Sequence, residues 1–182
     1  QSSEEDREPL EFAYLVQTYL RYVDDVDDLI ERQLKEGDKP VTVPFADKVL
    51  AQLEARGFAA DEALHYLALF YQMRRAFVFI SRGLVGDSPS MKRLRMTLWS
   101  NIFSNDLPIY YRALRDRMED FSTLLLGETG TGKGAAAVAI GRAGSIPFDK
   151  RTGRFCESFT TMFVSANLSQ FSESLIESEL SG

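Results

Sequence analysis

Residues 121–144 read FSTLLLGETGTGKGAAAVAIGRAG and decide the fold class. Residues 121–126 form a short apolar run that leaves no room for helical alternation, which is typical of a buried parallel strand. A glycine-rich turn follows, and the alanine-rich stretch after it favours a helix that ends at Gly141 or Gly144. A second apolar run at 162–166 precedes another helix that starts near Ser172. This alternation predicts an α/β fold with a parallel sheet.

The glycine-rich turn has the composition of a phosphate-binding loop, or P-loop. Glycines lack Cβ atoms, so the backbone N–H groups at the start of a helix can approach the oxygens of a triphosphate. Lys133 is placed to reach the β and γ phosphates, and it is also the first candidate catalytic residue. The predicted nucleotide-binding residues of this loop are Gly127, Glu128, Thr129, Gly130, Thr131, Gly132, Lys133 and Gly134.

One position departs from the usual loop. Gly134 follows the lysine, where a serine or threonine hydroxyl would ordinarily bind magnesium, so the metal would need other ligands. We therefore predict no metal-ligating residue. No apolar strand ending in an acidic pair follows either, and we expect inefficient ATP hydrolysis by this chain.

The first 83 residues predict a helical region. Apolar residues recur at steps of three and four from residue 9 to residue 36, which predicts one long amphipathic helix closed by Gly37. Further helices are expected at about 44–56 and 61–82. The predicted buried positions are Phe12, Val16, Tyr19, Val23, Val26, Ile30, Val49, Leu50 and Leu53.

The residue pattern changes from helical to turn-forming after Gly83, which predicts a domain boundary between 1–83 and 84–182. Ser88 is expected to cap a helix that starts at Pro89 and continues towards Ile102. A further amphipathic stretch at 106–120 predicts another helix before the apolar run.

Composition narrows the function. The net charge of −6 and the pI near 4.9 argue against electrostatic wrapping of nucleic acid.

The single Cys156 and the single His65 exclude an intramolecular disulfide and a multi-thiolate metal cluster, and His65 is assigned to packing or to the surface. The acidic residues at 24–28 are interpreted as a solvated helix face. With no signal peptide or apolar span, a reducing cytoplasmic setting is expected, and the chain ends, at residues 1 and 182, are interpreted as cuts.

Two spaced motifs, GETGTGKG at 127–134 and NLSQFSESLIESELSG at 167–182, resemble the AAA+ domain of the sigma-54-dependent transcriptional activators. In that family a GESGTGKE-type loop is followed by an FVAVNC strand and an ESLLESELFG helix. The family's LIGxSxxM segment has a counterpart at 84–91. The resemblance covers roughly the second half of the chain. Gly134 and Ser181 depart from the family pattern, and the segments at 91–127 and 133–167 are longer than usual.

The resemblance implies ATP with Mg²⁺, bound between protomers of a homo-oligomeric ring, and hydrolysis that remodels the sigma-54 RNA polymerase holoenzyme. It implies that Leu84, Val85 and Gly86 lie near the adenine and that Asn167 is a catalytic switch residue relaying the state of the γ-phosphate. The family's catalytic glutamate, sigma-contacting loop, arginine fingers and DNA-binding helices have no counterpart in 1–182. By this resemblance 84–182 is the first part of a AAA+ domain, and DNA would be contacted only through another domain.

Two other functions stay open. A P-loop kinase or GTPase would share only the phosphate loop, although no guanine-reading Asn-Lys-x-Asp motif is visible. A non-catalytic interaction module would use the helices of 1–83, whose sensory or partner-binding role rests on position alone, and would carry an inert P-loop remnant.

Overall fold

The computed structural model describes residues 4–103, 110 and 122–166. Within these residues the chain is mostly helical, with a short antiparallel hairpin in which Phe148 lies opposite Phe155. The elements are α1 (Glu4–Arg21), α2 (Val23–Glu36), α3 (Ala46–Glu54), α4 (Ala60–Gly83), α5 (Pro89–Phe103), α6 (Lys133–Gly141), β1 (Phe148–Asp149) and β2 (Arg154–Phe155).

The single helix predicted over 9–36 is divided into α1 and α2. Tyr22, at φ −110° and ψ 12°, interrupts the helical geometry, and α1 packs on α3 while α2 packs on α4. The predicted buried face is wrong at two positions of α1, where Phe12 is 62% and Val16 is 38% exposed, whereas the predicted Tyr19 is partly buried and packs on Phe70. The prediction is confirmed in α2, where Val26 and Ile30 are buried.

The other helices within the described part of the chain begin and end close to the predicted positions. The three predicted core residues of α3 are buried, and α4 spans the region predicted as the third helix. Ser88 caps α5 as expected, because its Oγ accepts a hydrogen bond from the Met91 N–H at 3.2 Å. Helix α6 ends at Gly141, one of the two predicted ends. The helices predicted at 106–120 and from residue 172 lie outside the described residues, except for Tyr110.

A first hydrophobic cluster joins the N-terminal helices to the hairpin. Tyr71 of α4 stacks on Phe155 with ring centroids 4.1 Å apart, and Phe159 packs beside both. The hairpin is also attached through its backbone, because the Val43 N–H donates to the Gly153 carbonyl at 2.9 Å. Residues 146–159 thus complete the core of the N-terminal helices rather than standing apart from it.

A second hydrophobic cluster lies at the other end of α4. Ala76 and Ile80 of α4 pack there with Leu98 of α5 and with Ala136 and Ala139 of α6. Both clusters therefore combine residues from each side of position 84. The division into 1–83 and 84–182 stays a prediction, and α4 is the element that the two clusters share.

The two apolar runs predicted as buried parallel strands do not form strands in their described residues. Residues 122–126 and 163–166 belong to no helix or strand, and Leu124, Leu126 and Val164 are 80%, 83% and 84% exposed. A strand is stabilised by hydrogen bonds to a neighbouring strand, and no described strand lies beside either run. The described residues therefore show no parallel sheet, and the sheet itself stays a prediction. The part of the fold prediction that holds is the helical N-terminal region and the P-loop helix.

His65, Cys156 and the acidic residues of α2 lie at or near the surface. His65 and Cys156 are exposed, and the acidic residues at 24–28 face solvent except for Asp27, which forms a bidentate ion pair with Arg74 of α4 at 2.5 Å. Among the described helices, none combines the length and the apolar character that crossing a bilayer requires.

Gln33 of α2 closes the loop that leads to α3. Its buried amide donates to the carbonyls of Gly37 (2.7 Å) and Lys39 (2.9 Å) and accepts from the Val41 N–H (3.0 Å). We expect Gln33→Ala to lower the free energy of unfolding by about 1–3 kcal/mol, because it leaves part-buried backbone groups unpaired. Chemical denaturation followed by circular dichroism measures this change.

The matched control is Gln17→Ala on the exposed side of α1, for which a change within about 0.5 kcal/mol is expected. Equal effects of the two substitutions would contradict a structural role for the Gln33 amide.

Candidate functional site

The P-loop lies at the N-terminus of α6. Gly130 and Gly132 adopt φ angles of 85° and 89°, a left-handed conformation that glycine reaches without a steric penalty. Gly132 is the N-cap of α6, and the first backbone N–H groups of a helix have no partner within it. Residues 127–131 are exposed. The loop therefore presents an open, N–H-rich backbone to solvent, as an anion-binding loop requires.

The lysine of the loop is folded back over it. Lys133 Nζ donates hydrogen bonds to the carbonyls of Gly127 (2.7 Å) and Glu128 (2.6 Å). Thr131 Oγ1 donates to the same Glu128 carbonyl at 2.7 Å. The positive charge of Lys133 is thus held at the mouth of the loop, where a bound phosphate would exchange these carbonyl contacts for charge-assisted ones.

The segment predicted to lie near the adenine borders the loop. Leu84 is buried, and its Cδ2 atom lies 3.3 Å from where a Cβ would stand on Gly132. Val85 is 82% exposed beside it. The structure therefore brings 84–86 and the P-loop together. The role of this segment in binding adenine stays a prediction.

Arg95 of α5 fixes this segment and was not singled out by the sequence. Its Nη1 donates to the carbonyls of Leu84 and Gly86, each at 2.8 Å. Arg95 follows Leu84 by eleven residues and Gly86 by nine, and no known sequence motif predicts a hydrogen bond at either spacing. Only the folded arrangement of α5 over the segment reveals the contact.

A second group of side chains that the sequence analysis did not identify lies at the other end of α6. Arg75 of α4 is fully buried, and its two terminal nitrogens donate to the carbonyls of Arg142 and Gly144, each at 2.7 Å. Gln72, one turn earlier, donates to the carbonyl of Ala143 at 2.8 Å. Burial lowers the pKa of Arg75 to about 10, so the guanidinium is still charged at neutral pH. An arginine within a helix that reads as amphipathic gives no sequence signal of such burial.

The position of the loop that usually binds magnesium carries no side-chain ligand. Gly134 has no side-chain oxygen, and the hydroxyl of the nearby Thr131 donates to the Glu128 carbonyl. Across the described part of the chain no three His, Cys, Asp or Glu residues are grouped so as to hold a metal ion. Asn167, the other predicted catalytic residue, lies outside the described residues.

A cavity of about 530 Å³ opens beside the hairpin, away from the P-loop. Its wall includes Asp149, Arg154 and Cys156. The cavity is open to solvent and shares no lining residue with the loop, so chemistry rather than cavity size identifies the P-loop as the candidate site.

Comparison with known proteins supports the sequence resemblance. Residues 108–182 match the family model described as the sigma-54 interaction domain. The predicted resemblance to sigma-54-dependent activators is thus confirmed over those residues, which include the P-loop and α6. The match does not extend to 84–86. No solved structure matches the chain significantly.

Two neighbouring glycines provide a test of the loop geometry. Gly132→Ala places a Cβ 3.3 Å from Leu84 Cδ2 on a left-handed backbone, and we expect a loss of about 1–2 kcal/mol in the free energy of unfolding. Gly134→Ala meets no atom within 4 Å and lies in α6, so a gain of up to about 1 kcal/mol is expected. Thermal and denaturant unfolding of both variants measure the difference. If the two variants changed stability in the same direction, the described loop conformation would be wrong.

Proposed function

We propose, on the premise that residues 108–182 belong to the sigma-54 interaction domain family, that this chain is the ATP-binding part of a sigma-54-dependent transcription regulator. The observation that carries the proposal is the open P-loop at the head of α6, within the matched residues. A regulator of this class would couple its nucleotide to remodelling of the sigma-54 RNA polymerase holoenzyme.

The phosphates of ATP would enter the loop from the solvent side. The N–H groups at the N-terminus of α6 would donate to phosphate oxygens, and the partial positive charge at the start of the helix would favour the anion. The Lys133 ammonium would leave the carbonyls of Gly127 and Glu128 and bind the β and γ phosphates. Since the ammonium is already at the mouth of the loop, this exchange needs only a rotation of the side chain.

The adenine would lie against 84–86. The buried Leu84 side chain packs against Gly132 of the loop, and Arg95 holds the backbone of the segment. Val85 provides an exposed apolar surface on which a base can pack. This arrangement supports a nucleotide that spans the segment and the loop, with its phosphate end at Lys133.

Binding without efficient hydrolysis is the proposed state of this chain. Magnesium bound to ATP would shield the phosphate charge, but residues 127–134 supply no side-chain ligand of the expected kind at Gly134.

The catalytic role of Asn167, the sigma-54 and polymerase partners and the ring assembly are proposed from the family resemblance. Any DNA contact is assigned to a separate domain, because the net charge of this chain is −6. A cytoplasmic location is proposed because RNA polymerase is the target.

ATP affinity tests the proposal. Titration of the chain with a fluorescent ATP analogue should give saturable binding that unlabelled ATP displaces and AMP displaces poorly, because the loop holds the β and γ phosphates. Lys133→Ala should weaken binding by at least about tenfold, the value of one charged hydrogen bond. Lys92→Ala, which removes an exposed lysine of α5, is the control and should leave the affinity unchanged.

Three outcomes would overturn the proposal. Equal affinity of Lys133→Ala and the unchanged chain would place the nucleotide elsewhere. Preferential displacement by GTP would favour a different class of P-loop protein. Absence of any nucleotide binding, together with capture of a protein partner by the helices of 1–83, would favour the non-catalytic interaction module.

A further inference from the structure

Arg75 is a buried cation without a buried carboxylate beside it in the described structure. Its partners are the carbonyls of Arg142 and Gly144, and its guanidinium lies over the ring of Tyr71 at 4.5 Å. Burying a charge is costly unless dipoles or counter-charges replace the water. The carbonyl of Arg142, the C-cap of α6, lies at the negative end of the helix dipole, and the Gly144 carbonyl follows in the turn after it, so these two dipoles replace part of that solvation.

Gln72 extends the same contact to a third carbonyl. Its amide nitrogen donates to Ala143 O, and its amide oxygen accepts from the Tyr110 hydroxyl at 2.9 Å. Both Gln72 and Tyr110 are buried. Three successive carbonyls, from 142 to 144, are therefore held by two side chains that lie three residues apart on one face of α4.

The segment after the hairpin packs on the same end of α6. A Cβ on Gly141 would lie 2.7 Å from the Phe163 ring, and a Cβ on Gly144 would overlap the Met162 methyl group. Arg75 also lies against Met162, with Nη1 3.9 Å from its sulfur atom. The end of α6 is thus enclosed between α4 and residues 162–163, and its position follows that of Arg75.

We propose that Arg75 and Gln72 are positioning residues through which α4 sets the orientation of the P-loop helix, and hence the nucleotide affinity of the loop. Helix α6 has only nine residues, so a displacement of its C-terminus is passed directly to Gly132 and Lys133 at its N-terminus. Other residues of α4, including Leu67 and Tyr71, lie in the first hydrophobic cluster. A partner or ligand that shifts the N-terminal helices would therefore change nucleotide binding through this contact. The inference rests on the proposed function and adds a means of regulation to it.

The adjacent arginine provides a matched control. Arg74 points to the other side of α4 and binds Asp27 of α2, without contact to α6 in the described structure. Arg74→Met and Arg75→Met remove the same group from neighbouring positions of one helix. Both should reduce stability, but only the second should act on the P-loop.

The experiment measures nucleotide affinity at a temperature at which each variant is folded by circular dichroism. Arg75→Met is expected to weaken binding of the fluorescent ATP analogue by about tenfold, within the usual range of coupling between sites, while Arg74→Met stays within about twofold of the unchanged chain. Arg75→Lys, which keeps the charge but can reach fewer carbonyls, should fall between them. If Arg75→Met does not fold, Arg75→Lys and Gln72→Leu are compared with Arg74→Met instead. Unchanged affinity in the folded Arg75 and Gln72 variants would overturn the proposal.

Hydrogen exchange separates a failure of this inference from a failure of nucleotide binding. In the absence of nucleotide, Arg75→Met should speed backbone exchange in 133–141 more than Arg74→Met does, because only Arg75 holds the end of α6. With nucleotide, exchange around 72–75 should slow in the unchanged chain, since coupling is reciprocal. If the unchanged chain binds no nucleotide, the proposed function fails and faster exchange in 133–141 still supports the positioning contact. Equal exchange in the two variants would refute the contact itself.

Discussion

The 24-residue helix α4 carries the constraint on which the other elements depend. One set of its buried residues, which extends from Ala63 to Val78, packs in the first hydrophobic cluster with α2, α3 and the hairpin. Another set, which includes Ala76 and Ile80, packs in the second cluster with α5 and α6. Buried polar contacts from Gln72 and Arg75 lie where the two clusters meet. Because interiors are close-packed, a rotation of α4 cannot be absorbed by one cluster alone. The N-terminal helices and the P-loop are thereby mechanically linked.

Local sequence signals predicted the helices well. Gly37 and Gly57 stand at the ends predicted for α2 and α3, and Ser88 caps α5, because caps and left-handed glycines act within a few residues of the chain. The helix of the P-loop was predicted from the high helix propensity of its alanine-rich sequence, which is also a local signal. The break at Tyr22 was missed, since apolar spacing continues across it and only packing of α1 on α3 reveals the change of direction.

Long-range features could not be read from the sequence in the same way. The runs at 122–126 and 163–166 have the composition of buried strands, but a strand depends on hydrogen bonds from a neighbour that composition does not specify. The hydrogen bonds from Arg75 and Arg95 to backbone carbonyls join residues 9 to 69 positions apart, and a single sequence contains no record of such pairs. The P-loop could be predicted because its chemistry is contained in eight consecutive residues.

Arg74 and Arg75 also limit how the length of α4 can change during evolution. Successive residues of a helix point about 100° apart, so one arginine reaches α2 while its neighbour reaches the end of α6. Inserting or deleting one residue between Leu67 and Arg75 would turn the later part of the helix by that angle, and the two arginines would no longer face α2 and the end of α6. Changes in length are therefore expected to accumulate before α4, in the loop at 55–59, and not within the helix.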